Sequence, residues 1–170
     1  ELPAWFELED RGSGQAIRIV IDDTQAIYPL TIDPLMTDPD WTSPGNQSDA
    51  GYVYAVATAG DVNADGFSDI LLGAPAYDNG QTDEGVVFVY YGSPTGPGAS
   101  ADLILEQDQA GANFGFSVAP AGDVNRDGFG DIIIGAPFYD NTQYDEGRVF
   151  VYHGSALGLS FVADWTYAMI

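Results

Sequence analysis

The chain contains two copies of one sequence segment, and this repetition limits its fold more than any other feature. Residues 60–96 align without gaps with residues 122–158, an offset of 62, and 26 of the 37 aligned positions are identical. Shorter matches that begin at Asp40, Asp102 and Asp164 keep the same spacing. A period of several tens of residues is typical of tandem arrays in which each repeat is one supersecondary unit. The sequence therefore predicts such an array.

Each repeat contains four short segments with the composition of β-strands. The second segment is apolar through its middle, as expected of a strand buried on both faces, and the third is rich in β-branched and aromatic residues. No stretch shows helical periodicity, and 21 Gly and 10 Pro punctuate the chain. We therefore predict an all-β protein. The predicted strands are 52–57, 69–74, 86–91 and 103–105 in the first repeat and 114–119, 131–136, 148–152 and 165–168 in the second.

Four antiparallel strands per repeat indicate propeller-type blades rather than a sandwich. We predict a first blade, with its connecting segment, in residues 41–108 and a second blade in residues 109–170. Propellers close with about four to eight blades, so two blades leave unpaired strand edges. Either more blades belong to the native polypeptide, or copies of this chain associate and complete one another.

The N-terminal residues 1–40 differ from the repeats and form a β-rich segment of their own. Three strands are predicted there, at residues 5–9, 16–21 and 27–32. Three strands make a small sheet whose apolar face needs a partner. We interpret this segment as the tail of, or the link to, an upstream domain. The sequence begins at Glu1, without Met or a signal peptide, which predicts a processed chain or a fragment.

The composition excludes several classes of function. The chain has 26 acidic residues against four Arg and no Lys, a net charge of −22, so it has no basic surface for nucleic acid. No apolar run approaches the roughly twenty residues that cross a bilayer. The absence of Cys excludes disulfides, zinc-thiolate sites and cysteine nucleophiles.

Each repeat carries one motif with the spacing of a calcium-binding loop, Asp-x-Asn-x-Asp-Gly-x-x-Asp. Oxygens at alternate positions of a tight loop converge on one point, and the glycine permits the sharp bend. Hard oxygen donors without His or Cys favour Ca²⁺ over transition metals, and the flexible cage favours it over Mg²⁺. We predict two Ca²⁺ sites, one per repeat, in which the phenylalanines offer a backbone carbonyl. The predicted ligands are Asp61, Asn63, Asp65, Phe67 and Asp69 in the first repeat and Asp123, Asn125, Asp127, Phe129 and Asp131 in the second.

The alternative interpretation is that these residues build polar turns without metal, which Asp, Asn and Gly do routinely. Two full copies favour the ion, because three clustered carboxylates would otherwise repel one another in each loop. A second acidic segment follows in each repeat, around Asp78 and Asp83 and around Asp140 and Asp145. We expect polar hairpin loops there, with a further cation site as the alternative.

The repeats resemble the FG-GAP repeats of integrin alpha-subunit β-propellers and of many bacterial exported proteins. The resemblance rests on the two calcium-loop motifs, on Phe114-Gly115, and on the Gly-Ala-Pro segments at 73–75 and 135–137. The first repeat departs from the family at Tyr52-Val53, where Phe-Gly would fall. The resemblance covers about 120 residues. It implies a seven-bladed architecture with calcium in the loop that joins the first two strands of a blade.

The resemblance implies a non-enzymatic, calcium-binding scaffold of an extracellular bacterial protein, acting in adhesion or assembly. A set of catalytic residues normally occurs once in a chain, whereas the acidic loops here are copied with the repeat. The repetition therefore also predicts that the chain is not an enzyme. Expected partners are other blades, copies of this chain, or an extracellular protein or glycan. Three alternatives remain: a subunit that assembles into a filament or ring through strand edges, a carbohydrate-binding propeller, and an accessory domain of a larger secreted enzyme.

Overall fold

The computed structural model describes residues 4–10, 15–21 and 41–168. The chain divides into two compact units, Glu1–Pro39 and Asp40–Ile170. In the first unit, strands β1 (Ala4–Asp10) and β2 (Gln15–Ile21) pair antiparallel, with Ala4 opposite Ile21. They correspond to two of the three strands predicted for this segment. The third, at 27–32, lies outside the described residues.

The second unit contains two four-stranded antiparallel sheets, which we call the first and second blade. Within each sheet the strands neighbour one another in chain order, so each blade is an up-and-down meander. The described residues contain no helix. The prediction of an all-β chain with two propeller-type blades is confirmed. The first blade consists of β3 (Ala55–Gly60), β4 (Asp69–Ala74), β5 (Val86–Tyr90) and β6 (Leu103–Leu105), and the second of β7 (Ser117–Gly122), β8 (Asp131–Ala136), β9 (Arg148–Tyr152) and β10 (Trp165–Tyr167).

The first strand of each blade begins three residues later than predicted. Both predicted starts fall in a turn, in which the N–H of Tyr54 donates to Gly51 O (2.8 Å) and that of Phe116 donates to Asn113 O (3.2 Å). Val53 has φ 63° and Asn113 has φ 51°, backbone angles that a strand does not accommodate. The apolar and aromatic composition of these segments concealed the turns.

A register shift marks the end of the first strand in both blades. Thr58 pairs with Ile70 but Gly60 pairs with Asp69, and the same shift separates Pro120 from Gly122 in the second blade. Such a bulge bends the strand and re-aims the residues that follow it. The two acidic motifs begin at the next residue, so the bulge sets the direction in which each loop leaves the sheet.

The two blades share one hydrophobic core. Its central ring is Phe114, which is fully buried and meets Phe150 edge-on at 5.3 Å between ring centroids. Burying a large apolar side chain stabilises a fold by about 2–3 kcal/mol. Separation of the two blades would expose the side chains that they share and would therefore lower the stability of both. Buried members of this core come from both blades: Val62, Leu71, Val87, Leu105, Phe114, Ile132, Ile134 and Phe150.

The backbone of the second blade packs directly against glycines of the first. A Cβ added at Gly73 would overlap the carbonyl oxygen of Gly115, and one added at Gly85 would overlap the backbone of Phe114. In the second blade the equivalent of Gly73 is Gly135, where a Cβ would meet only the side chain of Ser117. Close approach by the neighbouring blade therefore requires glycine in the first blade.

The second blade has an open cleft of about 360 Å³. The equivalent surface of the first blade is covered by Phe114 and Gly115. The lining of the cleft includes Gly135 and Gly147, which correspond to Gly73 and Gly85 of the first blade, together with the exposed Tyr167 of β10.

Candidate metal centre

The first acidic motif folds into a tight loop between β3 and β4 that is held by its own side chains. The carboxylate of Asp61 accepts the backbone N–H of Asp65 (3.0 Å) and of Gly66 (2.9 Å). Oδ1 of Asn63 also accepts the Asp65 N–H (3.0 Å), and Oδ1 of Asp65 accepts that of Phe67 (2.9 Å). Gly66 has φ +92°, which only glycine adopts without strain. The oxygens at motif positions 1, 3 and 5 are thus drawn into one turn.

The second motif repeats the same hydrogen bonds between β7 and β8. Asp123 accepts the N–H of Asp127 and of Gly128, both at 3.0 Å, and Asp127 accepts that of Phe129 at 3.0 Å. Oδ1 of Asn125 accepts the Asp127 N–H, also at 3.0 Å. The two loops differ in sequence inside and beside this framework, with Arg in the second where the first has Ala. The residues that the motifs share therefore determine the loop conformation.

The last aspartate of each motif is fully buried and links three parts of its blade. Asp69, at the start of β4, accepts the N–H of Val62 in the loop and of Gly92 beyond β5, both at 2.8 Å. Asp131 accepts the equivalent amides, from Val124 at 2.7 Å and from Gly154 at 2.9 Å.

Sequence reasoning treated these two aspartates as metal ligands and missed their role as buried acceptors. A signal was present: each Asp opens an apolar strand, and a glycine follows 23 residues later in both repeats. A buried carboxylate at such a place needs N–H donors.

Negative charge accumulates around the buried aspartate of the first loop. Burial raises the pKa of Asp69, the N–H donors from Gly92 and Val62 oppose that rise, and the negative charges of Asp65 and Asp61 add to it. In the second loop the N–H of Phe129 lowers the pKa of Asp127, and so does the side chain of Asn125. A divalent ion would relieve the repulsion that acts on the buried carboxylate.

The donor set fits Ca²⁺ in chemistry, with three carboxylates and one amide oxygen in each loop. The structure brings all ten predicted ligand residues into these two loops. Within the described residues, however, neither loop gathers three carboxylates whose oxygens lie within 4.8 Å of one another. Both oxygens of Asp69 and of Asp131 already accept amide protons. Direct ligation by these two residues, and the sites as a whole, stay predictions.

The second acidic segment forms a hairpin turn in both blades. Oδ1 of Asp78 accepts the N–H of Asp83 (2.7 Å), and Oδ1 of Asp140 accepts that of Asp145 (2.6 Å). These four aspartates therefore shape the turns.

A different group of acidic residues brings three carboxylate oxygens close together, which neither acidic loop does. One carboxylate oxygen from each of Glu84, Glu106 and Asp108 lies within 4.8 Å of the other two. Sequence reasoning missed this group because its members are up to 24 residues apart and follow no known spacing.

Comparisons with known proteins agree with the repeated architecture. A family model described as FG-GAP repeat matches residues 52–90 and 114–152. Integrin alpha-7 of Rattus norvegicus is 36% identical over 121 residues, which are 71% of this chain and 10% of the relative. Integrin alpha-6 of Homo sapiens is 39% identical over 116 residues, 68% of this chain and 10% of the relative. Integrin alpha-4 of Xenopus laevis is 39% identical over 119 residues, 68% of this chain and 11% of the relative.

The chain thus spans about a tenth of the length of these curated relatives. In the parts that the structure describes, no helix is long and apolar enough to cross a membrane. The two matched segments cover the first three strands of each blade and contain both acidic loops. The chain belongs to the FG-GAP repeat family, with two consecutive repeats of the integrin alpha type.

Proposed function

We propose that the chain is a non-enzymatic, calcium-stabilised β-propeller module that acts outside the cell as a scaffold in adhesion or assembly. The observation that carries this proposal is the duplication of the whole loop, with the same hydrogen bonds from the same motif positions. The likeness to integrin alpha subunits supports the adhesion role and the extracellular location. Partners of the scaffold are then further blades, another copy of the chain, or an extracellular protein or glycan.

Bound calcium would supply positive charge to each acidic loop. In the first loop Asp61, Asn63 and Asp65 would hold the ion with side-chain oxygens, Phe67 with its carbonyl, and Asp69 from the buried side. The second loop would use Asp123, Asn125, Asp127, Phe129 and Asp131 in the same way. An ion that binds only the folded chain adds to its stability, by about 2.7 kcal/mol at a concentration a hundred times the dissociation constant.

The first loop also contacts the second blade, so its order affects both blades. The N–H of Gly130 donates to Asp61 O (2.9 Å), and the N–H of Ser155 donates to Val62 O (3.0 Å). These bonds end on the backbone of the acidic motif itself. Fixing this loop with an ion would therefore fix the junction between blades, which is what a rigid scaffold requires.

The proposal is tested by thermal unfolding in millimolar calcium and in chelator. We expect calcium to raise the melting temperature of the wild-type chain and to raise that of the D65N/D127N variant by clearly less. A D49N/D145N variant, which removes two exposed charges outside the motifs, should respond like the wild type. Equal melting temperatures of the wild-type chain in both buffers would defeat the proposal.

A second candidate function is assembly of copies through the blade edge, and the open cleft on the second blade favours it. The cleft corresponds to the surface that receives Phe114 and Gly115 on the first blade. Assembly through it predicts a sedimentation coefficient that rises with concentration and a loss of that rise in Tyr167→Ala. A monomer at all concentrations contradicts it.

A further inference from the structure

Three carboxylates outside the acidic loops lie together where the first blade meets the connection to the second. Glu84 lies in the turn before β5, and Glu106 and Asp108 follow β6. One oxygen from each lies within 4.8 Å of the other two. Glu84 is fully buried, Glu106 is half-buried and Asp108 is exposed, so the group opens to solvent on one side.

Glu84 has a buried oxygen without a partner. Its Oε1 accepts the N–H of Asn79 (2.6 Å) and of Gln81 (3.1 Å), which leaves Oε2 for another interaction. Oε2 is buried and has no hydrogen-bond partner among the described residues, and the same is true of Oε1 of Gln81 in the same turn. A buried acceptor without a donor is costly, so the turn is incomplete without a further group.

No described side chain supplies positive charge to this group. Two arginine side chains are described, and both belong to the second blade. Arg126 lies in the second acidic loop, and the guanidinium of Arg148 lies 4.7 Å from the centroid of the Tyr139 ring. Three neighbouring carboxylates, one of them fully buried, are therefore left without compensation from within the described chain.

We propose that Glu84, Glu106 and Asp108 bind a divalent cation, Ca²⁺ in a calcium-rich medium, at a third site distinct from the two acidic loops. The oxygen separations fit this ion, because Ca–O distances of 2.3–2.6 Å place two ligands of one ion at most about 5 Å apart. Carboxylate oxygens are also the ligands that calcium prefers. The side chain of Asn79 donates to Oε2 of Glu106, which holds that carboxylate beside Glu84.

The position of the site gives the ion a structural role. The N–H of Gly111 donates to Thr82 O (2.9 Å), and the N–H of Phe114 donates to Glu84 O (2.8 Å). These bonds join the turn of the first blade to the segment that enters the second. A cation shared by Glu84, Glu106 and Asp108 reinforces the same junction with ionic bonds.

The second blade provides an internal control, because it lacks this group. Glu146 corresponds to Glu84, but Ala168 and Ile170 stand where Glu106 and Asp108 would fall. Both oxygens of Glu146 accept from Thr142, Oε1 from the backbone N–H at 3.0 Å and Oε2 from the hydroxyl at 3.5 Å. The equivalent turn is thus complete without an ion.

The test counts the calcium ions bound per chain by isothermal titration calorimetry and by equilibrium dialysis. We expect E106Q/D108N to bind one calcium ion fewer than the wild type. The control D145N/E146Q removes the same number of negative charges from the second blade and should bind as many ions as the wild type. Circular dichroism reports whether each variant is folded. The exposed single substitution Asp108→Asn should weaken one site at least tenfold, and it serves if the double variant fails to fold.

Further variants separate this proposal from the calcium loops. With both loops disabled by D65N/D127N, one equivalent should still bind and should disappear on adding E106Q/D108N. If the loops bind no calcium, the wild type binds a single equivalent and D65N/D127N does not change it. Unchanged stoichiometry and affinity in E106Q/D108N and in Asp108→Asn would overturn the third site and leave the loops unaffected.

Discussion

Substitution of Gly73 by alanine tests whether the contact between blades, rather than the strand itself, demands glycine. The new methyl group would overlap the carbonyl oxygen of Gly115, which belongs to the other blade and cannot rotate away. Overpacking of this kind costs about 1–3 kcal/mol. The displaced segment also holds the hydrogen bond from Gly115 N–H to Gly135 O (3.2 Å), worth about 1 kcal/mol. We therefore expect Gly73→Ala to lower the free energy of unfolding by about 2–4 kcal/mol.

The matched substitution is Gly135→Ala, at the same position of the second blade. Its methyl group would meet only the side chain of Ser117, whose hydroxyl can move to another staggered rotamer. Because Ala55 stands in the place of Ser117 in the first blade, the G135A/S117A variant removes even this contact. This variant should be close to the wild type in stability.

Guanidinium-induced unfolding at a concentration where the chain is monomeric measures the difference directly. Since about 1 kcal/mol shifts the melting temperature of a chain of this size by roughly 3 °C, Gly73→Ala should melt about 6–12 °C below the wild type. If G135A/S117A loses as much stability as Gly73→Ala, the strand and not the neighbouring blade requires glycine, and the reasoning is refuted.

Further predictions concern the buried groups. Asp69→Asn replaces a carboxylate that accepts two amide protons by a group that also donates, so it should lower the free energy of unfolding in urea by about 2–3 kcal/mol. Asp65→Asn, measured in chelator, should lower it by less than about 1 kcal/mol. Similar losses in the two variants would contradict the role of Asp69 as a buried acceptor. Phe114→Ala should cost about 3–5 kcal/mol, whereas the more exposed Phe116→Ala should cost far less. Burial raises the pKa of Tyr52 to about 12, above the ordinary 10.0. The neutral phenol therefore stabilises the fold below pH 10, and this contribution is lost between pH 10 and 12. Stability measured across that range should fall less steeply in Tyr52→Phe.

Local pattern and repetition predicted most of the fold. The apolar middles of β4 and β8 and the β-branched composition of β5 and β9 locate these strands, because strands buried on both faces leave a clear trace in composition. The alignment of the repeats then extends each assignment from one blade to the other. The predicted starts of β3 and β7 were wrong. A single residue with positive φ, such as Val53, interrupts the extended backbone without changing the composition of the segment.

The acidic sites were only partly accessible to sequence reasoning. Motif spacing places Asp61, Asn63 and Asp65 in one turn, since all their contacts lie within a few residues. Spacing alone does not reveal that Asp69 faces Gly92, because that contact depends on how β4 and β5 pair. The proximity of Glu84 to Asp108 likewise arises only when the connection folds back on the turn.

The contact between the blades is made of two unlike surfaces, and this gives any larger arrangement a polarity. One blade presents the backbone of Phe114 and Gly115, and its neighbour presents a notch of glycines. Head-to-tail contacts of this kind add units in a single direction, and they end in a ring if the rotation per unit closes or in a helical fibre if it does not. The angle between neighbouring blades therefore decides which of these two forms the units can build.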